Sequence, residues 1–402
     1  MLKNYLKMAV KVFLRRKFFT FISLFGISFT LIVLMVSVGL FDYVFGPHPP
    51  EINQDRTLGC FKASLLGPNY TNTNTPGYGF LDRYARNLPN VEVTSFFSDP
   101  LVVYTYLRGA RIQSYLKRAD GEFWQILRFK FLEGAPYSRE DAEQGRFVAV
   151  INEATRQRFF GGRSAVGETI VVDGQPFRVS GVVANVSMFR EIPFADIWAP
   201  IATAKNDSYK KELLGGFRGI FLLRSRADIP AVKAEFRSRL RSVEIPQKEA
   251  TEMTSDLVTR FDYVYNSVWA IAFNILAALW FMVLPTVNLI NINVSRILER
   301  ASEIGVRKAF GASSITLMGQ FIVENVLLSL LGGIVGFAGS HMVLRAMARA
   351  GFLLQYAEVS LNFRIFTYCF ALALLFGLVS GIYPAWRMSR LNPVLALRGG
   401  AR

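Results

Sequence analysis

Four runs of this chain are too long and too uncharged to be core helices of a soluble domain. Phe18 to Phe45 carries a single charge, Asp42. No charged residue falls between Asp262 and Arg296, and the apolar part there runs from Val268 to Ile290. Ile315 to Leu344 contains only Glu324, and Arg364 to Arg387 encloses 22 uncharged residues. Each run reaches the roughly 20 residues that a helix needs to cross a hydrocarbon core. Globular core helices are rarely that long. The predicted fold class is a membrane protein with four transmembrane α-helices and a large α+β extracytoplasmic domain inserted between helices 1 and 2. The first run follows a basic segment, as a signal peptide would. Its apolar stretch far exceeds the 7–15 residues of a signal h-region, and no small-x-small site closes it. It reads as an uncleaved anchor.

The position of the charges orients these spans. The chain has a formal net charge of +16 with 51% hydrophobic residues and a mean hydropathy of +0.28. The charge alone would suit a soluble nucleic-acid binder; the hydropathy does not. Residues 1–17 contribute +6, 295–314 contribute +2 and the tail from Arg387 contributes +4, so +12 of the +16 lies on three segments sharing one side of the membrane. The insert 46–266 has 29 basic and 25 acidic residues, only +4. The positive-inside rule puts both termini and the 295–314 loop in the cytoplasm and the insert outside. The predicted segments are an amphipathic helix over 1–17, spans at 18–45, 267–292, 315–345 and 365–386, the extracytoplasmic domain at 46–266, a cytoplasmic loop at 293–314, a short external loop at 346–364 and a cytoplasmic tail at 387–402.

The insert is long enough for its own core. Leu101–Leu107 and Arg111–Arg118 flank a short Arg-Gly-Ala turn, and Thr169–Val172 and Phe177–Val183 flank Asp173-Gly174, a hairpin signal. Asp228 is expected to cap a helix with the apolar stripe Val232, Phe236, Leu240 and Val243, and Asn152 a shorter one ending at Gly161-Gly162. Cys60 lies in the insert and Cys369 in the fourth span, so no disulfide is expected between them.

Two cytoplasmic segments carry patterns of their own. In 1–17, Leu2, Tyr5, Leu6, Ala9 and Phe13 fall near one helix face, and Lys3, Lys7, Lys11 and Arg15 on another. That suits an interfacial helix or a plain topogenic cluster. In 295–314, Arg296, Arg300, Glu303 and Arg307 recur at helical spacing, with Ile297, Ile304 and Phe310 as apolar contacts and Gly305 and Gly311 as breaks. Spacing alone leaves open a helix that docks on a partner and a charged turn.

Glu299-Arg-Ala-Ser-Glu-Ile-Gly-Val-Arg-Lys-Ala-Phe-Gly-Ala312, followed by Glu324 and Gly332-Gly333, resembles the signature of MacB/FtsX-type ABC transporter permeases. Tyr383-Pro-Ala-Trp-Arg-Met-Ser-Arg-Leu-Asn-Pro393 is similar to the family's terminal motif. Asn152–Ile170 and Phe177–Val182 resemble its extracytoplasmic domain. The resemblance covers both ends, the insert and all four spans. It implies that 293–314 is a coupling helix seated on an ATPase, with the role carried by Arg300, Glu303, Ile304, Gly305, Arg307, Lys308, Ala309, Gly311 and Ala312. The chain is expected to lack the ATPase domain that MacB itself carries fused at its N-terminus. Gly162–Thr169 has phosphate-loop spacing, but Glu168 replaces the lysine, so it reads as a turn. The expectation is a non-catalytic subunit without a cofactor of its own, with ATP and Mg on a partner ATPase.

Within the spans, Glu324 is a costly carboxylate, about 14 Å along the third span at 1.5 Å per residue. It reads either as a proton or substrate site or as a structural contact to Asn288, Asn291 or a basic loop residue. Gly332, Gly336 and Ser340, and Gly377 and Gly381, repeat at four, a spacing that lets helices approach closely; they line intrachain packing or a dimer seam. Pro285 is expected to kink the second span. His48 and His341 lack metal-ligand companions, so no metal site is expected.

These readings converge on the permease subunit of a bacterial MacB-type transporter in the inner membrane. It would couple ATP hydrolysis by a separate cytoplasmic ATPase to movement of the outer domain, exporting a peptide, antibiotic or lipid-linked molecule. The expected partners are that ATPase, a second permease in a homodimer or heterodimer, a membrane-fusion adaptor, an outer-membrane channel and the lipid bilayer, with no nucleic acid. The alternatives are a lipoprotein-releasing permease and an FtsX-like regulator of a cell-wall hydrolase.

Overall fold

The computed structural model describes residues 2–15, 17–107, 110–264 and 313–350, together with residues 276, 306, 310, 364, 366–371 and 374–375. Its longer helices are α1 (Leu2–Arg15), α2 (Lys17–Phe45), α3 (Glu153–Phe160), α4 (Ile229–Leu240) and α5 (Ser314–Ala350). The chain divides into a helical unit and a second unit made essentially of residues 44–266.

In the helical unit, α2 and α5 contain windows long and apolar enough to cross a membrane, Thr20–Tyr43 and Ile322–Arg349. The two helices meet along a stripe of small residues. A Cβ built on Gly332 falls 2.5 Å from Ile27, on Gly336 2.8 Å from Leu31, and on Gly339 2.6 Å from Ile32. Ser28 Oγ donates to the Gly332 carbonyl at 3.3 Å, and Ser340 Oγ lies 3.7 Å from Met35 Sδ. Partners rise together along both helices, so α2 and α5 run parallel. On the outer side of α2, exposed Phe21, Phe25 and Phe29 stack as a ladder with centroids 6.3 and 5.9 Å apart, as side chains facing lipid tails do. α5 continues past the expected limit of 345 through Ala346–Ala350, because Arg-Ala-Met-Ala-Arg-Ala is made of strong helix formers. In α1, Ala9 and Phe13 are buried in the cluster that holds Leu31, Met35 and Leu328. Leu6, expected on that face, is instead exposed with Val10 and Leu14, so the apolar surface of α1 is split into two stripes.

The second unit is α+β. Its strands are β1 (Thr57–Cys60), β2 (Ala63–Gly67), β3 (Tyr70–Asn74), β4 (Val91–Ser98), β5 (Leu101–Leu107), β6 (Ala110–Ala119), β7 (Phe131–Gly134), β8 (Val148–Asn152), β9 (Thr169–Val172), β10 (Gln175–Val183), β11 (Ile197–Pro200), β12 (Phe217–Leu223) and β13 (Glu252–Ser255). The large sheet has the order β1-β12-β4-β6-β11-β8-β10-β9-β5, and β5 pairs back onto β6. The last six strands therefore close a ring. Period-2 alternation fills it: Val103, Leu116, Ile151, Ile170, Val172, Phe177 and Val179 share one core. A second core lies beside β1, β12 and β4, where α4 buries Val232 and Phe236 and the small sheet β13-β2-β3 adds Ala63, Leu65 and Met253. A third, aromatic core joins Phe97, Phe123, Trp124 and Trp198.

Local chemistry explains the joints. Asp173 (φ 50°) and Gly174 (φ 80°) turn β9 into β10, the paired positive φ of the tight hairpin. Asn152 Oδ1 accepts from Thr155 N at 2.8 Å to start α3, and Gly161 at φ 62° ends it. The start of α4 corrects the expectation for Asp228. The capping side chain is Ser225, which accepts from Ala227 N at 3.2 Å, and Asp228 returns the bond by accepting from Ser225 N at 3.0 Å. A short 3₁₀ turn thus precedes α4, and Asp228 is the acidic arm of a capping box.

Phe236→Ala is expected to cost about 3–5 kcal/mol, because Phe236 is fully buried against Phe80 at 6.2 Å. Tryptophan fluorescence of the full chain on heating should report a midpoint lowered by on the order of 10 °C.

Candidate functional site

The chain leaves α2 at Phe45 and heads toward its expected second span from α-helical Arg260–Val264. Between those ends, one buried carboxylate ties three segments together. Glu51 is 5% exposed and Arg190 1% exposed. Arg190 Nε donates to Glu51 Oε2 at 2.8 Å, and Arg260 Nη1 donates to Glu51 Oε1. Three further guanidinium bonds go to backbone: Arg190 Nη1 to Pro49 O at 3.0 Å, Arg190 Nη2 to His48 O at 2.8 Å, and Arg260 Nη2 to Phe189 O at 3.1 Å. Desolvating three charges is expensive, and it is tolerated only with such dense bonding. The result is a clasp over residues 48–51, 189–190 and 260.

The loop that carries Arg190 is held a second time, by Lys117. Its Nζ donates to the carbonyl of Glu191 at 2.8 Å and to that of Ile192. Burial, reinforced by nearby Arg218, pushes the Lys117 ammonium down from its ordinary 10.5 to about 7. Arg218 in turn pairs with Asp99 and, at 3.0 Å, with Glu191. None of Glu51, Lys117, Arg190 and Arg260 stands out in the sequence. Their separations match no helix or strand period, and only the fold brings them together.

The residues singled out from sequence fall elsewhere. Gly332, Gly336 and Ser340 lie on the α2–α5 seam. Glu324 is buried on α5, where Gln320 Nε2 donates to its Oε1 at 2.9 Å. Arg300, Glu303, Ile304, Gly305, Arg307, Lys308, Ala309, Gly311, Ala312, Gly377, Gly381, Pro285, Asn288 and Asn291 lie outside the described residues. Of the cytoplasmic segment, Val306 and Phe310 are described; Phe310 N donates to Val306 O at 3.1 Å, and the Phe310 side chain is 89% exposed. The Gly162–Thr169 loop is bound by the protein's own Glu133, whose Oε2 accepts from Ser164 Oγ at 3.1 Å and Ala165 N at 3.2 Å. His341 packs on Phe337 with centroids 5.2 Å apart. Among the described residues no group of three or more candidate metal ligands occurs.

Comparison with known proteins decides the lineage. The family described as a MacB-like periplasmic core domain matches residues 20–239, and that described as an FtsX-like permease C-terminal matches 275–393. The chain belongs to the MacB-like permease family. It is accordingly a membrane protein of the ABC transporter permease type, with a large α+β periplasmic domain after its first membrane helix. The macrolide export ATP-binding/permease protein MacB of Burkholderia cenocepacia (strain HI2424) is 29% identical over 293 residues, covering 72% of this chain and 42% of the relative. That of Shewanella sp. (strain W3-18-1) is 24% identical over 411 residues, covering 97% and 60%. The chain thus spans about half the length of these relatives. The crystal structure of the periplasmic region of MacB from Actinobacillus actinomycetemcomitans aligns at 14% identity and TM-score 0.37, covering 50% of this chain and 87% of that one.

Two outcomes follow. Glu51→Ala leaves the buried Arg190 guanidinium and the half-buried Arg260 guanidinium without their carboxylate, and should destabilise the periplasmic domain by about 3–5 kcal/mol; a Glu51→Ala/Arg190→Met double variant should recover part of the loss in the same thermal assay. For Lys117, the native state binds fewer protons than the unfolded chain between about pH 7 and 10.5. Stability from this group therefore rises with pH across that window and is flat below it. Denaturation from pH 7 to pH 10 should show that slope, and Lys117→Met should flatten it.

Proposed function

We propose that this chain is the transmembrane subunit of a MacB-type ABC transporter and passes the work of a cytoplasmic ATPase to its periplasmic domain. The observation that carries this reading is the clasp. Residues 48–51 and Arg260, from the two ends of the domain, are bound together through one buried carboxylate, so in this reading the domain would respond to the spans as a whole. The α2–α5 seam supports a four-span topology. Two parallel helices require the chain to return across the membrane between them, and the uncharged run 267–292 is the segment long enough to do so. A fourth span over 365–386 then brings the tail back to the starting side.

On the cytoplasmic side, the coupling segment 293–314 docks on the ATPase. Phe310, apolar and 89% exposed, is the knob for that contact, and Arg300, Glu303 and Arg307 supply charge in the same stretch of sequence. ATP and Mg act on the ATPase, and the cargo is one that the periplasmic domain meets outside the bilayer. Glu324, joined to Gln320, acts as a structural group on α5, and the Gly332–Gly336–Ser340 stripe serves packing within the chain. Two permease copies, or one with a related partner, complete the transporter, and export of a peptide, antibiotic or lipid-linked molecule fits this design.

Membranes from cells expressing the tagged full chain should yield an ABC ATPase on purification in mild detergent. Arg307→Glu or Phe310→Asp should abolish its recovery while membrane insertion stays at wild-type level. ATPase recovery unchanged in both variants would overturn the docking assignment. Enrichment of an acylated lipoprotein or of a cell-wall hydrolase would identify the cargo or client instead as that of the two alternative permease classes.

A second test addresses the seam. Gly336→Leu places a side chain where Leu31 already stands 2.8 Å from a Cβ. Overpacking of about 1–3 kcal/mol is expected, seen as a lower thermal midpoint and an aggregated fraction on size-exclusion chromatography in detergent.

A further inference from the structure

The inward face of β6 ends in a cation that its surroundings leave unanswered. Ser114, Leu116 and Arg118 follow one another on that face at period 2, and all three are buried. Leu101, the first residue of β5, pairs with Leu116, so Arg118 stands past the end of that strand, at the mouth of the ring. Its backbone N donates to Ser98 Oγ at 2.9 Å, and its Nη1 donates to Thr203 Oγ1 at 2.6 Å. Thr203 Oγ1 gives its own proton to Pro200 O at 2.7 Å, so it faces Arg118 as an acceptor. Among the described residues, Arg118 Nε and Nη2 have no acceptor and no carboxylate lies within ion-pair distance. Asp173 acts on the guanidinium only through space, and Lys205 Nζ already holds that carboxylate at 2.6 Å. A guanidinium cannot shed its charge as a buried lysine can. Arg190, also buried, has the ordinary complement, a carboxylate and two carbonyls.

We infer that the Nε–Nη2 edge of Arg118 is a carboxylate-binding site, which takes one carboxylate of a small molecule or of a peptide end, with the Tyr209 hydroxyl as a second donor. Nε and Nη2 carry the parallel pair of N–H groups that meets both oxygens of a carboxylate. That edge is not sealed in. Enclosed polar atoms without a partner do occur in this domain, such as the Trp198 indole N–H, but neither nitrogen of the Arg118 fork is among them. The fork therefore opens to solvent, although the residue as a whole is only 8% exposed. Tyr209, on the 3₁₀ turn Ser208–Lys211, is near enough for its hydroxyl and the guanidinium to act on one another electrostatically. Its ring is seated against Tyr78 and Phe217, with centroids 5.2 and 5.6 Å away, and its hydroxyl has no hydrogen-bond partner among the described residues. The local charge favours a monoanion. Lys205 and Lys210 are engaged by Asp173 and Asp207, which leaves the charge of Arg118 to be matched. All of these groups belong to the unit made essentially of residues 44–266, so the site does not depend on how the spans act.

Saturation-transfer NMR on the full chain in deuterated detergent tests it, reading the methyl protons of acetate at constant ionic strength held with chloride. The expected result is transfer to acetate that saturates with concentration in the wild type and is absent in Arg118→Met. Arg118→Lys keeps the charge but loses the fork, and should raise the half-saturating concentration at least about tenfold, the loss of one charge-assisted hydrogen bond. Tyr209→Phe removes a single oxygen and should raise it severalfold, which keeps the test open if Arg118→Met does not fold. The thermal midpoint by tryptophan fluorescence identifies the folded variants. Inorganic phosphate is the competing probe and should displace acetate only when in excess. Equal transfer in the wild type and in the folded variants, or none in the wild type, overturns the site. Displacement by phosphate well below the half-saturating concentration of acetate overturns the carboxylate as its ligand.

Discussion

One carboxylate ties together three segments of the periplasmic domain that lie far apart in the chain. Glu51 accepts from two guanidinium groups in a site nearly closed to water. Such a cluster adds little net stability, because the attraction is spent on desolvation. Its value is specificity. Arg190 and Arg260 both aim guanidinium donors at it, so segments 139 and 209 residues away from Glu51 in sequence are held in one arrangement. An apolar contact at the same place would tolerate sliding; a carboxylate shared by two directional donors does not.

The α2–α5 seam works by the opposite physics. It has few polar bonds, and its closeness comes from leaving out side chains at Gly332, Gly336 and Gly339. Dispersion over a smooth surface is strong in sum and weak in direction. Helices joined this way can slide or tilt by small amounts without breaking any single bond.

The division between what was legible in the sequence and what was not follows the range of the forces. Uncharged runs, the Asp173-Gly174 hairpin and the Asn152 cap are local, and the sequence carries them openly. The shift of the α4 cap from Asp228 to Ser225 is a local error, since both residue types cap well and the choice depends on a 3₁₀ turn that periodicity does not reveal. The split stripe on α1 reflects packing partners far along the chain. The clasp was invisible for the same reason, as nothing about Glu51, Arg190 or Arg260 distinguishes them from other surface charges until tertiary structure buries them. Family motifs pointed to the cytoplasmic segment and the insert, and the matched family models bear out the membership without reaching single residues.

The short link between α2 and Glu51 is fixed along its length by hydrogen bonds. A flexible linker would absorb displacement as a change in its own end-to-end distance. Here the backbone of that link is already committed. The Gly46 carbonyl accepts from His48 N, the His48 carbonyl from Glu51 N and Arg190, the Pro49 carbonyl from Arg190, and the Pro50 carbonyl from Arg128 N. Four carbonyls in the five residues 46–50 are thus bonded. With its polar groups engaged and its end pinned by two arginines, the link has little conformational freedom left to lose. Its far end is fixed in turn by the buried charges that meet at Glu51.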